Sequence, residues 1–272
     1  MQFNIAFVLS ALVAVPAALA GTIPKRGCGT HEKHEEHEKK VQERIANIRV
    51  AAAAKQIPVS WHTITDGTSG KLTASQVQAS IDVLNKDYAS TGFSFYLSAS
   101  ETVTNKSWFT GVDQGTTAEA QMKNSLRDGN ALTLNVYTVS FGSSGLLGYA
   151  TFPWSYSGAP KNDGVVIAYQ TYPGSSYAPF NQGRTLTHEV GHWLGLYHVF
   201  QGGCTGSGDS VSDTPAQSTA TSGCPSSQDS CPNVAGVDSI HNFLDYSDDA
   251  CMYQFTAGQT SRMAQIVSAY RG

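Results

Sequence analysis

The sequence predicts an α+β domain, a mixed sheet backed by helices, on three observations. Thr73-Ala74-Ser75-Gln76 is a capping box, and behind it Val77, Ile81, Leu84 and Tyr88 recur at helical spacing on one side. Short apolar runs at 57–62, 93–97, 131–139 and 164–169 read as strands, the last of the type buried on both faces. A second capping box, Thr256-Ala257-Gly258-Gln259, opens a terminal helix along Met263, Ile266, Val267 and Tyr270. Helices with one apolar face need a sheet to cover it, so the elements are expected to form packed layers. Between them, 142–179 is rich in Gly, Ser, Tyr and Pro and reads as surface loops and one edge of a cleft. Residues 201–238 are Gly, Ser and Asp rich with little periodicity, and need another constraint to hold them.

Composition narrows the partners. The chain has 272 residues, 40% of them hydrophobic, which is enough for a sizeable core. A net charge of -4 with only 14% charged residues provides no basic stripe, so nucleic acid is not an expected partner. Residues 3–19 form an apolar run ending in Ala18-Leu19-Ala20, a small-x-small cleavage pattern, and residues 1–20 are read as a signal peptide. No later stretch approaches the roughly 20 apolar residues of a membrane span. The mature protein is expected to be exported, soluble and monomeric. Asn105-Lys106-Ser107 is a glycosylation sequon, which makes Asn105 a candidate acceptor.

Residues 21–55 read as a pro-segment and 56–272 as the catalytic domain. The run from His31 to Lys40 is densely charged, and with Val41, Ile45 and Ile48 behind it suggests a solvated helix outside the core. Its His31, His34 and His37 read as part of a polar face. Export makes unpaired thiols unusual, yet the chain has five cysteines. Cys204, Cys224, Cys231 and Cys251 cluster late in the chain, where three pairings are open. Cys28 is isolated between Gly27 and Gly29, whose missing side chains allow close backbone approach. It is the candidate latency switch, its thiolate taking the fourth position on a metal until processing removes it. Lys25-Arg26 is a dibasic processing signal that would leave Cys28 attached, so activation needs a later cut, after Arg49 or Lys55.

The chemistry lies in His188-Glu189-Val190-Gly191-His192-Trp193-Leu194-Gly195-Leu196-Tyr197-His198. On a helix His188 and His192 are one turn apart on one face, so both imidazoles can reach one zinc at ~2.0–2.1 Å. Gly195 allows the chain to leave the helix sharply and return His198 as the third ligand. Three neutral nitrogens leave the full charge on the ion and a fourth position open, whereas a closed structural site would usually use thiolates. Glu189, beside the pair, is placed as the general base that takes a proton from water acidified by zinc and passes it to a leaving amine. The competing reading, three histidines filling a polar core, would require a coincidence on the order of once per tens of thousands of such chains.

With these residues in view the sequence resembles the pappalysin family of metzincin metallopeptidases, in the form of small fungal secreted metalloproteases. The resemblance continues through 199–204, Asp209 to Pro215 and 242–252, and so covers most of the chain from Ile57. It implies a two-subdomain fold, with a twisted sheet and zinc helix above an irregular, disulfide-bonded lower part, and protein or peptide substrates lying between. It implies zinc as cofactor, Met252 as the methionine beneath the metal, and pairs Cys204–Cys231 and Cys224–Cys251. It also raises calcium in the lower loops, with Asp209 and Asp213 as oxygen donors. The physiological target is open between bulk extracellular protein and host tissue. An inactive zinc-binding module is the alternative; it would most simply be betrayed by loss of the acid at position 189, and Glu189 is present.

Overall fold

The computed structural model describes residues 25–30, 34–48 and 55–272. The signal-peptide reading of 1–20, His31 and Arg49 lie outside the described residues. In chain order the regular elements are α1 (His34–Ile45), β1 (Lys55–Thr65), α2 (Ala74–Asp87), β2 (Phe93–Thr104), α3 (Lys106–Gly111), α4 (Thr117–Leu126), β3 (Leu134–Val139), β4 (Gly148–Ala150), β5 (Val165–Ala168), α5 (Arg184–Trp193) and α6 (Ala257–Tyr270).

The five strands form one mixed sheet in the order β2-β1-β3-β5-β4, with β4 alone antiparallel to its neighbour. Both faces are covered, as a mostly parallel sheet requires. Ile57, Val59 and Trp61 alternate along β1 toward one side, where α2 and α5 supply Val77, Ile81, Leu84, Leu186, Val190 and Trp193. Toward the other side Ile64, Tyr137, Val139 and Val166 meet Phe109, Val112 and Met122 from α3, α4 and the turn between them. Both capping boxes form: Thr73 caps α2 and Thr256 caps α6, each with its Gln reaching back to the cap backbone.

Three departures from the sequence reading bear on the site. β4 lies inside the Gly-rich stretch read as loops, and it is the strand at the cleft edge. β2 continues past Leu97 to Thr104, and α3 and α4 follow it. Most consequential, α1 is not a solvated helix. Glu38, Val41 and Ile45 are buried, and the two aliphatics join Phe152, Trp154, Tyr197 and Ile266 in a third apolar cluster. The spacing of these three residues places them on one face, opposite the charged residues that dominate the composition. Asn105 caps α3 by accepting from the Trp108 backbone N–H at 3.1 Å.

The irregular segment after His198 is tied by Cys204–Cys231 and Cys224–Cys251, leaving Cys28 as the buried free thiol among the described residues.

Candidate metal centre

α5 is buried from Thr185 to Trp193 and carries the first two histidines. Its start is held by the Asp249 carboxylate, whose Oδ2 accepts from the backbone N–H groups of Gln182 (2.8 Å) and Arg184 (3.4 Å), a favourable charge at a helix N-terminus. Its end is forced by Gly195, which has φ +99°; a Cβ there would also lie 2.7 Å from Ile266. Leu196 N–H then bonds back to Gly191 O at 3.0 Å, and the chain returns with His198 facing the helix.

The three imidazoles converge in a buried site. His192 Nε2 lies 3.2 Å from His188 Nε2 and 3.1 Å from His198 Nε2. His188 Nδ1 donates to Phe243 O and His192 Nδ1 to Leu196 O, both at 2.7 Å. A backbone carbonyl only accepts, so these two rings are in the tautomer whose Nε2 carries a bare lone pair. Burial, reinforced by His192 and Arg26, pushes the His188 pKa well down, so protonation is not the remedy. Nitrogens turned to one another in this way suit a shared cation, and tetrahedral coordination at ~2.0–2.1 Å puts ligand nitrogens about 3.3–3.4 Å apart. The site fits zinc, with the outer ring nitrogens oriented by carbonyls as metal-ligating histidines require.

Cys28 Sγ lies with the three imidazole nitrogens in a group whose ligand atoms are all within 4.8 Å of one another. Glu189 is buried beside it: Oε2 is 3.4 Å from Cys28 Sγ and accepts from Thr30 Oγ1 at 3.3 Å. Burial pushes the Glu189 carboxyl up to about 8, and burial with the Glu189 charge pushes the Cys28 thiol up. A divalent ion held at the histidines would reverse that preference for the thiol, because it would stabilise the thiolate directly. Gly148 of β4 comes so close that a Cβ there would sit 2.8 Å from Glu189 Cγ.

Residues 27–30 add a strand to the outer edge of β4. Leu147 N–H donates to Gly27 O (2.8 Å), Gly29 N–H to Gly148 O (2.9 Å), and Ala150 N–H to Thr30 Oγ1 (2.9 Å), with Cys28 paired in parallel to Gly148. Tyr246, whose ring packs 5.1 Å from that of His198, accepts from Cys28 N–H at 3.2 Å and donates to Cys28 O at 3.4 Å. Arg26, which the sequence suggested only as a processing signal, is buried. Its guanidinium meets Asp249 Oδ1 at 2.6 Å, donates to Ser247 O at 3.3 Å and lies 5.0 Å from the Phe180 ring centroid. Tyr246, Thr30, Asp249 and Phe180 were missed from sequence; each belongs to a loop or strand end whose approach to the histidines is set by the fold.

Leu244 packs under the helix that carries His188 and His192, so closely on Gly191 that a Cβ there would be 2.9 Å from Leu244 Cδ2. Its carbonyl accepts from Val199 N–H, and the preceding carbonyl holds His188. Met252 is buried in the same core but follows the turn at 249–251. The two calcium candidates, Asp209 and Asp213, are engaged separately, and Asp209 Oδ2 is buried with no hydrogen-bond partner among the described residues. Asp209 Oδ1 accepts from Val211 N–H and Thr214 Oγ1, whereas Asp213 Oδ2 accepts from Gly258 N–H in the first turn of α6. Neither belongs to a metal-holding group among the described residues.

Comparison with known proteins agrees with this geometry. The peptidase M43 family model, described as pregnancy-associated plasma protein-A, matches residues 116–268. An "Extracellular metalloprotease" of Verticillium alfalfae is 44% identical over the whole of both chains, and one of Colletotrichum graminicola 41%. Among solved structures, a promirolysin mutant of Tannerella forsythia superposes with a TM-score of 0.71 at 28% identity, covering 89% of this chain and 94% of that one. Mature mirolysin in complex with a cleaved peptide gives 0.64 at 30%, covering 79% and 91%. The converging histidines, the metzincin-like fold and these matches agree: this chain belongs to the peptidase M43, or pappalysin, family of metallopeptidases.

Proposed function

We propose that the chain is a secreted zinc endopeptidase, made as a precursor with a signal peptide at 1–20 and a pro-segment at 21–55, that hydrolyses extracellular proteins and peptides as a monomer. The observation carrying this reading is the trio of converging imidazoles, two of them oriented by a backbone carbonyl on Nδ1, beside a buried carboxylate. The relatives called extracellular metalloproteases support the location; an assimilatory role, with degradation of host tissue as a further use, is what the same chemistry would serve outside the cell.

His188, His192 and His198 would hold the ion. Bound there, zinc supplies a Lewis acid that acidifies water and polarises the peptide carbonyl. Glu189, with Oε2 directed at the space now filled by Cys28 Sγ, takes a proton from the attacking water and delivers it to the leaving amine. A substrate strand binds the outer edge of β4 through the backbone groups that now hold residues 27–30. Tyr246, released from Cys28, offers its hydroxyl to the developing oxyanion. The recess formed by Phe180, Ser247 and Asp249, which accepts Arg26, would accept a basic substrate side chain and give the enzyme its preference.

In the precursor Cys28 is the latency switch, because its sulfur stands with the histidine nitrogens and its backbone blocks the β4 edge. Asn105 is the proposed glycan acceptor. Its cap uses Oδ1, which an N-linked glycan leaves free.

Replacing Glu189 by Gln in the processed protein should leave one zinc per chain by elemental analysis and lower kcat roughly 10²–10⁴-fold on a peptide substrate. Chelation should abolish wild-type activity and added zinc restore it. A fully active Gln variant, or indifference to chelator, would sink the mechanism.

A further inference from the structure

Among the described residues the pro-segment touches the rest of the chain at two separate places. One is the run 26–30 in the cleft. The other is α1, which packs across α6 and the turn at 153–155. There Val41 and Ile45 meet Phe152, Trp154, Tyr197 and Ile266, His37 lies 5.1 Å from Trp154, and Arg44 lies over Tyr270 at 4.3 Å while donating to Ala269 O. The centre of this face is a buried ion pair in fork geometry: Arg262 Nη1 and Nη2 donate to Glu38 Oε1 and Oε2 at 2.7 and 2.8 Å. Arg262 Nε also donates to Gly195 O, the turn that brings His198 to the metal. Inhibition by the cleft run does not require any of this contact. A buried, bidentate, shape-matched helix site on the far side of that turn therefore has another purpose.

We propose that α1 is the affinity anchor of the pro-segment: docked on the Phe152, Trp154, Tyr197, Arg262 and Ile266 face, it keeps Cys28 at the metal at high local concentration, and it stays bound in trans after the chain is cut between α1 and β1. The partner this surface fits is thus this chain's own helix, a Glu followed by apolar residues three and seven positions later on one face. A few residues link α1 to the cleft run, so the two sites reinforce one another as a tethered pair does, typically by 10²–10⁴-fold in binding. One consequence is that a cut after α1 does not by itself activate. The inference rests on the reading of Cys28 as the latency switch, and the experiment separates the two.

A specific protease site is placed between Ile48 and Lys55 of the full-length precursor, which is then nicked and examined by native mass spectrometry and by hydrolysis of a fluorogenic peptide. The wild-type protein should remain a two-fragment complex and stay inactive until diluted. Glu38→Ala, which leaves Arg262 buried beside an empty position, should speed fragment loss by at least roughly thirtyfold, with activity appearing at the same rate. Val41→Asp should act more strongly, and a melting curve of each un-nicked precursor shows that it is folded. Cys28→Ser should stay associated through α1 after nicking yet be active, because without the sulfur at the histidines the run 26–30 leaves the β4 edge to substrate. If the nicked wild-type fragments separate at once, or if Glu38→Ala and Val41→Asp both dissociate as slowly as wild type, the anchor is refuted. If the nicked Cys28→Ser complex stays associated and silent, the anchor stands and the cysteine is not the switch.

Discussion

Asp249 serves two needs at one residue, which makes its replacement informative. One carboxylate oxygen holds the start of α5, and the other meets Arg26 in the recess proposed to take a basic substrate side chain. Asn in its place keeps an acceptor for the helix N–H groups but removes the charge. Asp249→Asn should therefore retain zinc, while kcat/KM for an arginine-containing peptide falls relative to a leucine analogue by about 10²-fold, the worth of a buried charged pair. Competition assays with paired peptides measure that ratio. A ratio unchanged from wild type would remove Asp249 from substrate selection. The sequence offered no route to this residue, because Arg26 and Asp249 are 223 positions apart and a dibasic pair near a signal peptide reads first as a cleavage signal. The histidines and Glu189 were legible because one helix carries three of the four and a glycine marks the turn. Leu244 was not legible for the opposite reason: the residue that packs on Gly191 is chosen by which loop passes beneath α5.

At the scale of elements, patterns with a single strong period were readable and those divided between two surroundings were not. α2 and α6 announce themselves by capping boxes and apolar faces. α1 was hidden because its inward face includes Glu38, whose charge is satisfied by Arg262, 224 residues away. β4 was hidden because it is only three residues long and opens on a glycine where the backbone must pass Glu189. The zinc helix is itself held at both ends. At its C-terminal end Arg271 lies 3.7 Å over Trp193, donates to Trp193 O, and binds both oxygens of Asp163, which also accepts from Trp193 Nε1. Arg271→Ala leaves Asp163 buried and short of its main counter-charge, a loss of about 3–5 kcal/mol. Because Trp193 adjoins His192, zinc affinity should fall together with stability, while Lys at 271 should recover part of the charge but not the stacked fork. Urea titration and competition with a metallochromic chelator test this. Loss of stability with unaltered zinc affinity would limit the clamp to folding.

Across the whole molecule, the two kinds of cross-link act on different boundaries. The disulfides join residues 27 apart within the segment that follows the zinc helix, each contributing about 3–4 kcal/mol if closure entropy dominates. The histidines instead join α5, which packs on the sheet, to His198 at the head of that segment, so a bound ion fastens the two halves to each other. Removing it leaves the three buried imidazoles with their Nε2 atoms facing one another. If zinc is held a thousandfold above its dissociation constant, its loss removes about 4 kcal/mol. For a domain of this size that lowers Tm by roughly 10 °C. The fall should be larger in the precursor, where Cys28 supplies a fourth ligand, than in the processed enzyme, and zinc should restore both. Calorimetry of the two forms with and without chelator decides it. An equal fall in both would mean that the sulfur does not bind the ion, and no fall in either would mean that the three histidines do not hold one.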